Sequence, residues 1–147
     1  MIALHAAVIL SGYLFFFVAV VTGVAFLIEE GRIKAKDPFV FHSFALPLEL
    51  LDRMNLIAVV VGFILFSLGM VPGLLLARKT WGAFWTGDPK EVWSFLTLGA
   101  YTAVLILRLT VGLKGRRVVF LSVMSFLLVI FTFAGVNFLI GSRHAFF

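Results

Sequence analysis

Residues 81–93 read Trp-Gly-Ala-Phe-Trp-Thr-Gly-Asp-Pro-Lys-Glu-Val-Trp and hold all three tryptophans of the 147-residue chain. Gly82, Gly87 and Pro89 break this stretch up, whereas the sequence on either side is mostly long apolar runs. Its second half spells a helix start: Asp88 as N-cap, Pro89 at the first helical position, and Glu91 at the third, reaching back. Lys90 is not required by that cap and is a candidate to meet an anion. The first half has two readings. Tryptophan joins a large rigid face to one N–H donor, so Trp81, Trp85 and Trp93 either anchor a loop among lipid headgroups or form a flat platform for a flat ligand.

Outward from this stretch lie four apolar runs: Ala3 to Ile28, Leu56 to Ala77, Pro89 to Leu113, and Val118 to Ile140. Each has the length, about 20 residues or more, that carries a helix across a bilayer. The chain is 63% hydrophobic and 13% charged, with a mean hydropathy of +1.16, which leaves too little charge to coat a water-soluble globule. The predicted fold is all-α: a polytopic membrane protein forming a four-transmembrane-helix bundle, with residues 1–147 as one domain. A net charge of +5 is spread between the apolar spans, which suits anionic lipid and gives no nucleic-acid surface. Cysteine is absent, excluding disulfides, Fe–S ligation and thiol chemistry in this chain. The N-terminus lacks a positive n-region, so the first helix is expected to be retained and not cleaved as a signal peptide.

Lys and Arg placement sets the expected orientation. Arg32, Lys34, Lys36, Arg53, Arg108, Lys114, Arg116 and Arg117 fall on one side, eight in all, against four on the other: Arg78, Lys79, Lys90 and Arg143. The heavier side should be cytoplasmic, so both termini and the tryptophan loop face outward from an inner (cytoplasmic) membrane. His5, His144 and residues 78–93 then arrive at one outer surface. Gly12, Ala19 and Gly23 share the His5 face of the first helix and should admit a close neighbour. Gly69-x-x-x-Gly73 is a second small-residue pair, with Pro72 suggesting a bend or an end. The inner loop, Glu29 to Asn55, has an apolar centre from Phe39 to Leu51 bracketed by Pro38 and Pro47. It reads as an interfacial segment with His42 as an interface residue. Asn137 and His144 are seven apart and share a face if the helix persists, with Asn137 read first as a hydrogen-bonding link between helices.

The run WGAFWTGDPKEVWSFLT resembles the tryptophan-rich signature of the cytochrome c assembly family, membrane haem-handling proteins that work with haem lyases. Gly135-Val136-Asn137-Phe138-Leu139 followed by His144 is similar to that family's closing segment, and Leu51-Asp52-Arg53 is a weaker match. Two departures stand out. Gly87 occupies the place where family members carry a further tryptophan before Asp-Pro, and relatives have additional helices ahead of the part seen here.

The resemblance implies a b-type haem with two axial histidines, because the positions matching His5 and His144 are the family's outer haem ligands. Neutral imidazole is a good iron ligand, and two can close both axial positions. Trp81, Trp85 and Trp93 would lie against the porphyrin. Lys90, Arg78, Lys79 and Arg143 would meet its propionates, with Asp88 and Asn137 beside them. Asp88 and Glu91 are better explained by the cap than as an acid–base pair, and two histidines without cysteine make a poor zinc site. The leading function is thus presentation of haem on the tryptophan loop for attachment to an apocytochrome c, with a place in a haem lyase. The alternative is a small b-type subunit passing electrons between quinone and an outer-side cytochrome; a third is an anchor whose haem site has decayed. Membrane lipid, an apocytochrome and a second membrane protein or second copy are the expected partners.

Overall fold

In hydrocarbon the backbone has to satisfy its own hydrogen bonds, and the long apolar runs of this chain do so as helices. The computed structural model describes residues 2–36, 46–132 and 134–135. These form α1 (Ile2–Lys34), α2 (Leu48–Trp81), α3 (Pro89–Leu109) and α4 (Arg116–Ile130), so the all-α membrane architecture is observed. α1, α2 and α3 are long and apolar enough to cross a bilayer, with mean hydropathies of 2.3, 2.5 and 1.6. α4 contributes 15 residues and continues as a π-helical turn at residues 131–132 and 134–135. The chain is a multi-pass membrane protein.

The helix ends differ from those expected. α1 runs past Ile28 to Lys34 because its charged end pairs along the helix, Arg32 with Glu29 at 3.1 Å and Lys34 with Glu30 at 3.0 Å. α2 begins at Leu48, so Leu48–Asn55, read as loop, are its first two turns. Leu51 is buried there against Phe26 and Val119. The expected interfacial segment is therefore corrected at this end; residues 37–45, including His42, lie outside the described residues. α3 stops at Leu109, short of Leu113, before a turn through Gly112 and Gly115 at φ of 72° and 83°.

Large apolar side chains face outward along the helices, as with Leu4, Leu14 and Leu68 at 65%, 62% and 59% exposure. Lipid tails are as apolar as leucine, so close packing and polar links hold such helices together. α1 and α2 share the broadest interface. They touch at Gly12, where an added Cβ would stand 3.0 Å from the Phe66 nitrogen and 3.2 Å from the Gly62 carbonyl. Phe16 fills the space over Gly62 and stacks on Tyr101 of α3, with centroids 3.8 Å apart and planes 4° from parallel.

Polar links complete the bundle. Asn55 is fully buried; its Nδ2 donates to the Ala19 carbonyl at 2.7 Å and to Ser122 Oγ at 3.0 Å, joining α2 to α1 and α4. The Arg108 guanidinium is buried in an ion pair with Asp52, and its Nη1 donates to the Asp52 carbonyl at 3.3 Å. Thr97 and Thr132 approach to 3.3 Å between α3 and α4.

Candidate ligand-binding cleft

The N-terminal part of α1, the second half of α2 and the first turns of α3 enclose a cleft of about 590 Å³, including its open mouth. His5 and Tyr13 line it from α1, Met70 and Gly73 from α2, and Lys90 and Ser94 from α3. His5, Ile9 and Tyr13 are spaced four apart, so one face of α1 delivers all three.

His5 is held tightly. Its Nδ1 lies 2.8 Å from the Gly69 carbonyl oxygen. A carbonyl can only accept, so Nδ1 carries the proton and, in the neutral ring, Nε2 carries the lone pair. Gly73 leaves room for the ring: a Cβ there would come within 2.5 Å of His5 Cε1. The small-residue pair of α2 therefore seats the first turns of α1, with Gly69 against Ile9 and Gly73 against His5.

The start of α3 shapes the opposite wall. Asp88 caps the helix, its Oδ1 accepting the Lys90 backbone N–H at 2.9 Å, as the Asp-Pro pair indicated. Glu91 reaches back further than expected: Oε2 accepts the Thr86 N–H and Oε1 the Thr86 hydroxyl, each at 2.9 Å. It thus pins the loop beyond the cap and also lines the cleft. The Lys90 side chain lines the same wall with the residue only 8% exposed, and the Asp88 carboxylate supplies the negative charge beside it. A buried ammonium is costly without such compensation.

The loop between α2 and α3 is bounded by left-handed glycines, Gly82 at φ 76° and Gly87 at φ 72°. The Gly82 N–H donates to the Arg78 carbonyl at 2.9 Å and ends α2. Arg78 lies 4.6 Å over the ring of Phe84. The tryptophans sit in different local settings. Trp81 is the last residue of α2, Trp85 packs on Phe95 with centroids 5.3 Å apart, and Trp93 packs on Phe131 of the π-helical turn at 4.3 Å. Arg78 and Lys79 are exposed at the end of α2.

Of the expected site residues, His5 and Lys90 both line the cleft, Asp88 caps the helix that bears Lys90, and Trp85 remains half exposed on the loop. Asn137, Arg143 and His144 lie outside the described residues. Among the described residues no group of three or more His, Asp or Glu side chains is placed to hold a metal ion. Tyr13 and Ser94 were missed by sequence reasoning, although the four-residue spacings His5–Ile9–Tyr13 and Lys90–Ser94 carried the signal.

The family model for cytochrome C assembly protein matches residues 1–144. The chain is 40% identical over 111 residues to the cytochrome c biogenesis protein CcsA of Prochlorococcus marinus (strain MIT 9312), covering 75% of this chain and 34% of that relative. It is 38% identical over 98 residues to the cytochrome c biogenesis protein CcsA of Gloeobacter violaceus (strain ATCC 29082 / PCC 7421), covering 67% of this chain and 29% of that relative. The chain spans about a third of the length of the curated relatives it matches.

Proposed function

This chain belongs to the cytochrome c assembly family, and from that premise we propose that it handles haem in cytochrome c biogenesis, holding it in the cleft by His5. The observation that carries this reading is the His5 imidazole with its Nδ1 proton bound by the Gly69 carbonyl, in one cleft with the Lys90 ammonium. That donor set fits haem. A histidine whose other nitrogen donates to a carbonyl is the usual form of a ligating imidazole. Ile9, Met70, Leu74 and Phe95 give an apolar lining for a porphyrin, and Lys90 is the cation for a propionate.

In this reading His144 would be the second histidine holding a b-type, bis-histidine haem, and Arg78, Arg143 and Asn137 would add polar contacts to it. Bound haem supplies the vinyl groups to which a client's cysteines add. The chain's own residues position and shield: His5 orients, Lys90 neutralises, and the apolar walls exclude water. Trp85 and Phe84, on the outer loop, are the surface offered to an apocytochrome. The cleft faces the outer side of the inner membrane, the side opposite the larger share of Lys and Arg. A second membrane protein or second copy completes the enclosure.

The test is a visible spectrum of the purified protein before and after a reductant and an apocytochrome peptide bearing Cys-x-x-Cys-His. Bands that diminish in the protein as haem appears on the peptide support delivery. His5→Ala should lower haem content at least about tenfold; full retention overturns the ligand assignment. A second reading, haem kept for electron transfer between quinone and an outer-side cytochrome, is favoured by Gly87. Its φ of 72° is one that tryptophan rarely adopts, so Gly87 supplies a backbone angle that the tryptophan expected there from the family resemblance would disfavour. Bands that persist through the peptide challenge and respond to quinol select that alternative.

A further inference from the structure

We infer that Gly69 and Gly73 form an imidazole cradle that decides which nitrogen of His5 is offered to the iron, which makes them positioning residues; the inference rests on His5 being a ligand. Three sets of contacts carry it. The Gly69 carbonyl accepts a hydrogen bond from His5 Nδ1–H at 2.8 Å. A Cβ on Gly73 would stand 2.5 Å from Cε1, 3.0 Å from Nδ1 and 3.3 Å from Nε2, so a methyl there displaces the ring itself. A Cβ on Gly69 would stand 2.5 Å from Ile9 Cγ1 and 3.2 Å from the Ile9 backbone nitrogen, so α1 is already seated against α2 one turn along.

The physical consequence follows from these contacts together. An unconstrained imidazole exchanges its proton between two nitrogens and rotates about its side-chain bonds. Here the helix bearing it is fixed by the Gly69 contact, the ring rests on the bare Cα of Gly73, and the proton is committed to Nδ1. Nε2 is left as the ligating atom. The shared Nδ1 proton also makes that nitrogen a stronger donor, as carbonyl partners of ligating histidines do. The two glycines thus act through His5 and touch no haem atom themselves.

The test uses the full chain in detergent, 15N-labelled at histidine, with the His5 signals assigned by their loss in His5→Ala. The haem-free protein should show His5 as the Nδ1-protonated tautomer. Gly73→Ala should abolish that signature and lower haem content at least about tenfold. Gly99→Ala adds the same methyl to a helix where nothing lies within 4 Å, and should change neither. Should Gly73→Ala lower the melting temperature, His5→Ala/Gly73→Ala should restore it, since the methyl then occupies the space of the lost ring. Native tautomer and native haem content in Gly73→Ala overturn the cradle, even when His5→Ala loses haem and the ligand reading stands. Full haem content in His5→Ala overturns the ligand reading, and the positioning role falls with it whatever the tautomer shows.

Discussion

At the scale of single residues, the polar side chains inside the bundle decide most. Asn55 spends its amide on two other helices, and hydrogen bonds between membrane helices contribute about 1 kcal/mol each. Asn55→Leu should therefore lower stability by about 2 kcal/mol in a detergent unfolding titration; an unchanged midpoint would show the node to be idle. Gly87 bears on the loop instead. A Cβ there meets nothing within 4 Å, so the cost of Gly87→Ala is conformational alone, about 1 to 2 kcal/mol for a left-handed backbone. Limited proteolysis between Gly82 and Asp88 should accelerate in that variant while α1 and α2 stay intact. The sequence made Gly87 visible as a departure but not its backbone angle. Asn55 was hidden for a different reason: hydropathy starts the helix at Leu56, and only its partners on α1 and α4 reveal that it lies inside.

At the scale of elements, local chemistry was readable where it is short-ranged. Asp88 and Pro89 place the start of α3 correctly because a cap is decided within four residues. Asp88→Ala should cost about 1 kcal/mol, read as faster hydrogen exchange at the Lys90 amide. Glu91→Ala should free Thr86 and increase the mobility of Trp85, seen as a change in its fluorescence anisotropy. The charged end of α1 and the start of α2 were not readable from apolarity, since charged residues make good helix and pair along it, as Glu29 and Glu30 do with Arg32 and Lys34. The small-residue faces of α1 and α2 were legible as packing surfaces. That one of them would seat an imidazole was not, because sequence spacing fixes a face and not the register between two helices.

At the scale of the whole molecule, the arrangement of ends is what matters. Arg108 and Asp52 pair at the end of the bundle remote from His5, and removing one partner leaves the other charge uncompensated in a partly buried setting. Arg108→Leu should accordingly unfold in milder detergent than Arg108→Leu combined with Asp52→Leu. The proposed orientation has a clean test, because the chain has no native cysteine. Lys79→Cys should react with an impermeant maleimide on intact cells, and Lys34→Cys only after permeabilisation; the reverse pattern overturns the orientation. One dimension of the bundle reaches beyond its own contacts. The apolar part of α1, Ala3 to Ile28, measures about 39 Å as helix, against a hydrocarbon layer of about 30 Å. Such a helix has to lean or thicken the lipid around it, and α2, seated on it at Gly12 and Gly69, must lean with it. The depth of His5 below the headgroups is then set partly by the surrounding lipid, so the same protein in a thinner bilayer would hold its imidazole nearer to water.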